Sequence, residues 1–191
     1  MSSILLSAPA VEPVSLADAK TYLRVEHDAD DDALAALIAG ARIHVETQTR
    51  RALIMQSWRL IRDAWPADGR IAVTPVPLRA LTAARIYRLD GTTQAIDVSA
   101  FAIDKAGAPA VLSFAAGALP APGRVVAGIE LDIDVGYGDA PTDVPEPLRQ
   151  AIRVLTAHWY ENRGLTSIGH ELAVLPATAA ALLAPYRVLS L

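Results

Sequence analysis

The chain has no cysteine. Disulfides, thiolate nucleophiles and cysteine-ligated zinc are excluded together, and stability must come from packing or assembly. Lysine is nearly absent too: of 17 basic residues only Lys20 and Lys105 are lysines. Positive charge therefore sits on arginines, which suit planar, partly buried pairs with carboxylates, although a GC-rich genome gives the same bias. A net charge of -4 and a pI near 5.5 leave no broad basic surface for binding nucleic acid through counterion release. No apolar run approaches the ~20 residues of a membrane span. The start, MSSILLSAPAVEP, has an apolar trio but neither the basic flank nor the apolar core of a signal peptide. The expected setting is soluble and intracellular, with no membrane partner.

Catalytic signatures are missing as well. His27, His44, His158 and His170 form no HExxH or other close ligand pair, and His170-Glu171 is half a motif. Gly136-Tyr-Gly138 lacks the continuation of a phosphate loop, and there is no GxSxG elbow. Asp28, Asp30 and Asp32 imitate the first ligands of a calcium loop, but the sixth and twelfth positions are Ala33 and Ala39 instead of Gly and Glu. These acids read better as a solvated helix start favoured by the helix dipole. No catalytic residue, metal or cofactor is expected.

What is present is a globular composition, 52% apolar and 20% charged over 191 residues, enough for one ordinary domain or a core with a smaller inserted module. Disorder is expected mainly at the ends. In SLADAKTYL, Ser15 and Asp18 have capping-box spacing. After the acidic link EHDADDD, a helix over roughly 30–49 carries Leu34, Leu37, Ile38, Ala41 and Val45 on one face. From 52 to 138 the pattern turns to short alternating runs broken by Gly and Pro, the mark of antiparallel strands. The strand candidates are SWRLIRDAW, RIAVTPVPL, TAARIYRL, QAIDVSAFAI, AVLSF and GIELDIDVGYG, with a hairpin turn at Asp90-Gly91. In the last of them Ile129, Leu131, Ile133 and Val135 face one way, and Glu130, Asp132 and Asp134 the other.

The stretch GYGDAPTDVPEPLRQAI returns the chain to helix, starting at an Asp143/Glu146 capping box or, because Pro147 removes an early bond, at Pro145 or Glu146. Leu148, Ile152, Leu155 and Trp159 make an apolar stripe, a partner for the helix at 30–49, and Gly164 is its expected C-cap. A short helix is expected between Pro176 and Pro185, before an apolar tail. The predicted fold is α+β, with helices over 1–51 and 141–191 and a β-rich region over 52–140. The acids Glu130, Asp132 and Asp134 point to a solvent face or a surface meeting arginines of a neighbouring subunit. The tail from Leu182 either packs on its own core or docks on a partner, its Tyr186 and Arg187 being types enriched where proteins meet.

Three stretches carry a resemblance: VSLADAKTYLRVEHDADDDALAALIAGAR near the front, VGYGDAPTDVPEPLRQAIRVLTAHWYENRG behind, and LLAPYRV close to the end. The chain resembles the head-tail connector, or adaptor, family of long-tailed bacteriophages, prophages and gene transfer agents. The resemblance implies an α-helical bundle with an antiparallel β insertion between its second and third helices. It also implies a ring, usually a dodecamer, made in the bacterial cytoplasm and placed in the particle neck below the portal. The implied partners are other copies of the chain, the portal protein and a tail-side stopper or head-completion protein, with DNA passing through a channel without specific binding. On this resemblance Leu183, Tyr186, Arg187, Val188 and Leu191 would dock on the portal, and Glu130, Asp132 and Asp134 would line the subunit interface or an acidic lumen. The alternatives are a ligand- or metal-binding module or small enzyme built from scattered acids and histidines, and a packaging accessory that contacts DNA directly.

Overall fold

The computed structural model describes residues 2–162 and 176–188. Gly164, His170, Glu171 and Leu191, which figured in the sequence reading, lie outside the described residues. The described chain divides into two compact units, one formed by residues 2–10 and 55–137, the other by 11–54, 138–162 and 176–188.

The first unit is built of strands: β1 (Ser2–Ser7), β2 (Gln56–Arg62), β3 (Arg70–Val73), β4 (Leu78–Tyr87), β5 (Thr93–Ile96), β6 (Ala102–Asp104), β7 (Ala110–Ser113) and β8 (Ile129–Val135). They form a five-stranded sheet of order β1-β2-β8-β4-β5 and a three-stranded sheet of order β3-β7-β6, antiparallel throughout. β8 lies at the centre of the larger sheet, and its strict alternation is what fits it there. Ile129, Leu131, Ile133 and Val135 are fully buried, and the intervening acids point to the other face. Leu60, Ala84 and Ile86 from the flanking strands, with Ile71, Val73 and Leu112 from the smaller sheet, complete the buried apolar set. Trp65, Phe101 and Phe114 add an aromatic cluster with ring centroids 5.3 to 6.0 Å apart, in which Phe114 meets the other two rings edge-on and Trp65 and Phe101 are tilted.

Two sequence expectations change here. The opening residues, counted with the N-terminal helices, form edge strand β1 on β2, with Ile4 opposite Arg59 and Leu5 opposite Trp58. Backbone pairing orders them, although all six side chains are exposed. QAIDVSAFAI is not one strand: Asp97 caps a 3-10 turn over Val98–Ala100 by accepting from the Ser99 amide, and the halves join different sheets. The Asp90-Gly91 turn is present, with Gly91 at a φ of 82° and its amide donating to the Arg88 carbonyl.

The second unit holds α1 (Leu16–Leu23), α2 (Asp31–Thr49), α3 (Glu146–Glu161) and α4 (Ala177–Leu183). Ser15 caps α1 by accepting from the Asp18 amide. α2 packs on α3, as their stripes require: Leu34, Ile38, Ala41 and Val45 are buried, and so are Leu148, Ile152 and Leu155. His44 meets Trp159 edge-on at 5.9 Å. α4 packs on α3 through buried Ala179 and Leu183.

The joint after β8 resolves the choice at its start. Asp143 closes a 3-10 turn over Pro141–Asp143 and accepts from the Ala140 amide, while α3 begins at Glu146 behind Pro145. Gly138 is required there, because a Cβ would collide with the Asp143 carboxylate. Among the described residues no helix is long and apolar enough to cross a membrane.

Candidate functional site

The acids of β8 do not wait for a partner subunit's arginines. The register sets Arg59 of β2 opposite Asp132 and Arg85 of β4 opposite Glu130, so two arginines flank the carboxylates from both sides within one chain. Arg59 donates to both oxygens of Asp132, Nε at 2.7 Å and Nη2 at 3.0 Å. Arg85 donates from Nε to Glu130 at 2.7 Å and from Nη2 to Asp132 at 2.8 Å. Tyr87 donates its hydroxyl to Glu130, and Ser57 donates to Asp134 at 2.6 Å. Burial by itself would push the Asp132 carboxyl up, but the bonds and charges of Arg59 and Arg85 outweigh it and hold the group below the usual range. Glu130 and Asp132 are thus neutralised within the chain by arginines on the two strands that flank β8.

The acidic link before α2 is also internally satisfied. Lys20 donates to Asp28 at 2.6 Å and to Asp31 at 2.7 Å, and Tyr160 donates to Asp30 at 2.6 Å. The Lys20 ammonium holds the Asp28 carboxyl below its ordinary value. The cation that these acids attract is supplied by the chain itself. Among the described residues no group of three or more histidines, aspartates or glutamates is placed to hold a metal ion.

Of the tail residues, Leu183 and Val188 are buried against their own unit, and the Val188 amide donates to the Thr49 carbonyl at the end of α2. Both contribute to packing within this unit, because an apolar segment next to an open helix end gains by covering it. Tyr186 and Arg187 remain at the surface: Arg51 donates to the Tyr186 carbonyl at 2.7 Å and lies 6.0 Å from its ring, and Arg187 reaches Gln48 at 3.4 Å. The tail thus packs Leu183 and Val188 into its own unit and leaves Tyr186 and Arg187 at the surface.

Two apolar surfaces escaped the sequence reading. β1 exposes Ile4, Leu5 and Leu6 by 43 to 50%, on a strand whose outer edge has no partner among the described residues. Leu89, 90% exposed, lies where Gly123 packs onto the backbone of Arg88 and Leu89, near Val125 at 87%. That loop is held firmly. Gly123 donates to the Tyr87 carbonyl, Ala127 donates to Asp63, and Arg124 stacks 4.6 Å from the Tyr87 ring. Leu89 and Val125 nonetheless keep their side chains in water. The signal was Val-Val between glycines outside any strand.

Compared with known proteins, residues 13–88 match the family described as phage gp6-like head-tail connector protein. The match runs through α1 and α2 to the end of β4 and takes in the first of the three stretches that carry the resemblance. Three solved structures share the fold. A chain from the neck of an empty gene transfer agent particle, computed with C6 symmetry, is 23% identical with a TM-score of 0.82, covering 100% of this chain and 97% of that one. A chain from the virion of a native gene transfer agent particle is 24% identical, also with a TM-score of 0.82 and the same coverage. A chain from the neck of a native particle computed with C12 symmetry is 24% identical with a TM-score of 0.73, covering 98% and 97%. No curated protein matches the chain.

Proposed function

We propose that this chain is a head-tail connector subunit of a phage-like particle, a structural component of the neck and not an enzyme. The observation that carries the reading is a single fold spanning the whole chain and shared with neck proteins at a TM-score of 0.82, together with the connector-family match over residues 13–88. In this reading the helices form a bundle and the β unit is an insertion between α2 and α3. The subunits form a ring, twelvefold or sixfold in line with the symmetries of the similar necks. Such a ring closes by rotation through heterologous contacts, in which one face of a copy meets a different face of the next.

The ring sits beneath the portal of a DNA-filled head, meets a stopper or head-completion protein on the tail side and leaves a channel for DNA. The internally paired acids suit a wall that DNA slides past, since they offer phosphates no uncompensated basic track. Tyr186 and Arg187, the surface residues of the tail, serve portal docking. The deciding measurement is mass by light scattering on the chain alone and mixed with the portal of the same gene neighbourhood. A ring, or a monomer that joins the portal at matching stoichiometry, is expected. A monomer indifferent to a correctly assembled portal would overturn the reading.

A further inference from the structure

Four strands stand at the edges of the two sheets of the β unit, β3 and β6 bounding the smaller sheet and β1 and β5 the larger. The two pairs differ. β3 opens with exposed Arg70, and β6 is three residues long and ends at exposed Asp104. Short length and a charge are what keep a free edge from pairing with another chain. β1 and β5 contain neither charge nor proline, and β1, SSILLS, is the longest of the four at six residues. Its register with β2 is regular from Ser2 to Leu5 and shifts only between Leu5 and Ser7.

Alternate residues of an edge strand turn their N–H and C=O away from the strand they pair with. Among the described residues no backbone hydrogen bond outside the ladders with β2 and β4 reaches residues 2–7 or 93–96. The side chains of β1 are in the same position: Ile4, Leu5 and Leu6 are each close to half exposed. Outward backbone groups and uncovered apolar side chains are the two things that a strand added from outside would satisfy together.

The chain itself supplies such a strand. The larger sheet has five strands and is antiparallel throughout, so β1 and β5 run in the same direction on its opposite sides. Setting β5 of one copy beside β1 of the next joins two different surfaces, which is the heterologous contact that a closed ring requires. Neighbours related by the sixfold or twelvefold symmetry of the similar necks differ by a sixth of a turn at most, so the two strands keep their common direction. We infer that β1 and β5 are the self-association edges of this chain, β1 of each subunit pairing in parallel with β5 of its neighbour so that the larger sheet continues from subunit to subunit. The inference rests on the connector reading and assigns its ring contact to named strands.

The test uses the full chain, alone and on assembled portal, and the absence of native cysteine makes any disulfide an introduced one. Ile4→Cys, Leu5→Cys or Leu6→Cys is combined with Thr93→Cys, Gln94→Cys or Ala95→Cys, because strands paired about 4.8 Å apart bring cysteines on one face within disulfide reach. Under mild oxidation at least one combination should give a ladder of covalent species beyond the dimer, and the single-cysteine variants should give none. Ile4→Lys/Leu6→Lys, checked for folding by circular dichroism and melting, puts charge on the edge and should lose self-association. If the wild type assembles but no combination forms a disulfide between β1 and β5, or the lysine variant assembles like wild type, the pairing is overturned and the connector reading stands. Covalent dimers from Leu5→Cys alone would set β1 against β1 and overturn it equally. A wild type that assembles neither alone nor on the portal would remove the connector reading itself, and the inference with it.

Discussion

Replacing Asp132 by alanine tests whether the β8 charge network is structural. Asp132 is 14% exposed at its side chain and accepts three hydrogen bonds from two arginines. Its loss leaves Arg59 and Arg85 sharing Glu130, at 3.4 and 2.7 Å, with like charges facing each other. Hydrogen bonds to charged groups contribute about 1.5–3 kcal/mol each when shielded. The arginines here are 24 to 28% exposed, so water recovers much of that. A net cost of about 2 kcal/mol follows, between the surface and buried limits for ion pairs. Asp134→Ala, which loses the bond from Ser57, should cost under about 1 kcal/mol.

The assay is urea unfolding followed by tryptophan fluorescence in a Trp159→Phe background. Trp58 and Trp65 then report on the β unit alone. The sign of the pH dependence provides a second readout. The folded Asp132 carboxyl titrates below its unfolded value, so its contribution is complete above about pH 4 and fades as pH falls through the depressed value. The Asp132→Ala variant should therefore lose less stability on acidification than wild type. If Asp132→Ala costs no more than Asp134→Ala, or if its acid limb matches wild type, the network is a surface decoration.

Further outcomes are expected elsewhere. Ile133→Ala removes a fully buried side chain from the central strand and should cost about 2–5 kcal/mol in the same unfolding assay. Gly138→Ala should destabilise the helical unit by about 1–3 kcal/mol, measured by Trp159 fluorescence, because the new methyl must displace the Asp143 carboxylate from the joint. Val188→Asp should lower the melting temperature by burying a charge, whereas Tyr186→Asp should leave it nearly unchanged and weaken portal binding. Equal melting of these two variants would refute the division of the tail into buried and presented residues. Glu146→Gln should weaken the acid dependence of the helical unit, since Arg153 foremost holds that carboxyl low.

The sequence by itself determined what depends on neighbours along the chain. The stripes of α2 and α3, the Ser15 cap, the turn at Asp90-Gly91 and the two faces of β8 are set by spacings of two to four residues, and each is found where those spacings put it. Tertiary structure decided whatever depends on which strands become neighbours. β1 is ordered by backbone pairing with β2, which no side-chain pattern in SSILLS announces. The β8 acids found arginines in their own chain because the order β2-β8-β4 sets Arg59 and Arg85 on either side of them, at sequence separations above forty. The tail was divided between core and surface only when Val188 met the open end of α2. Periodicity assigns a residue to a face; the fold decides what that face meets.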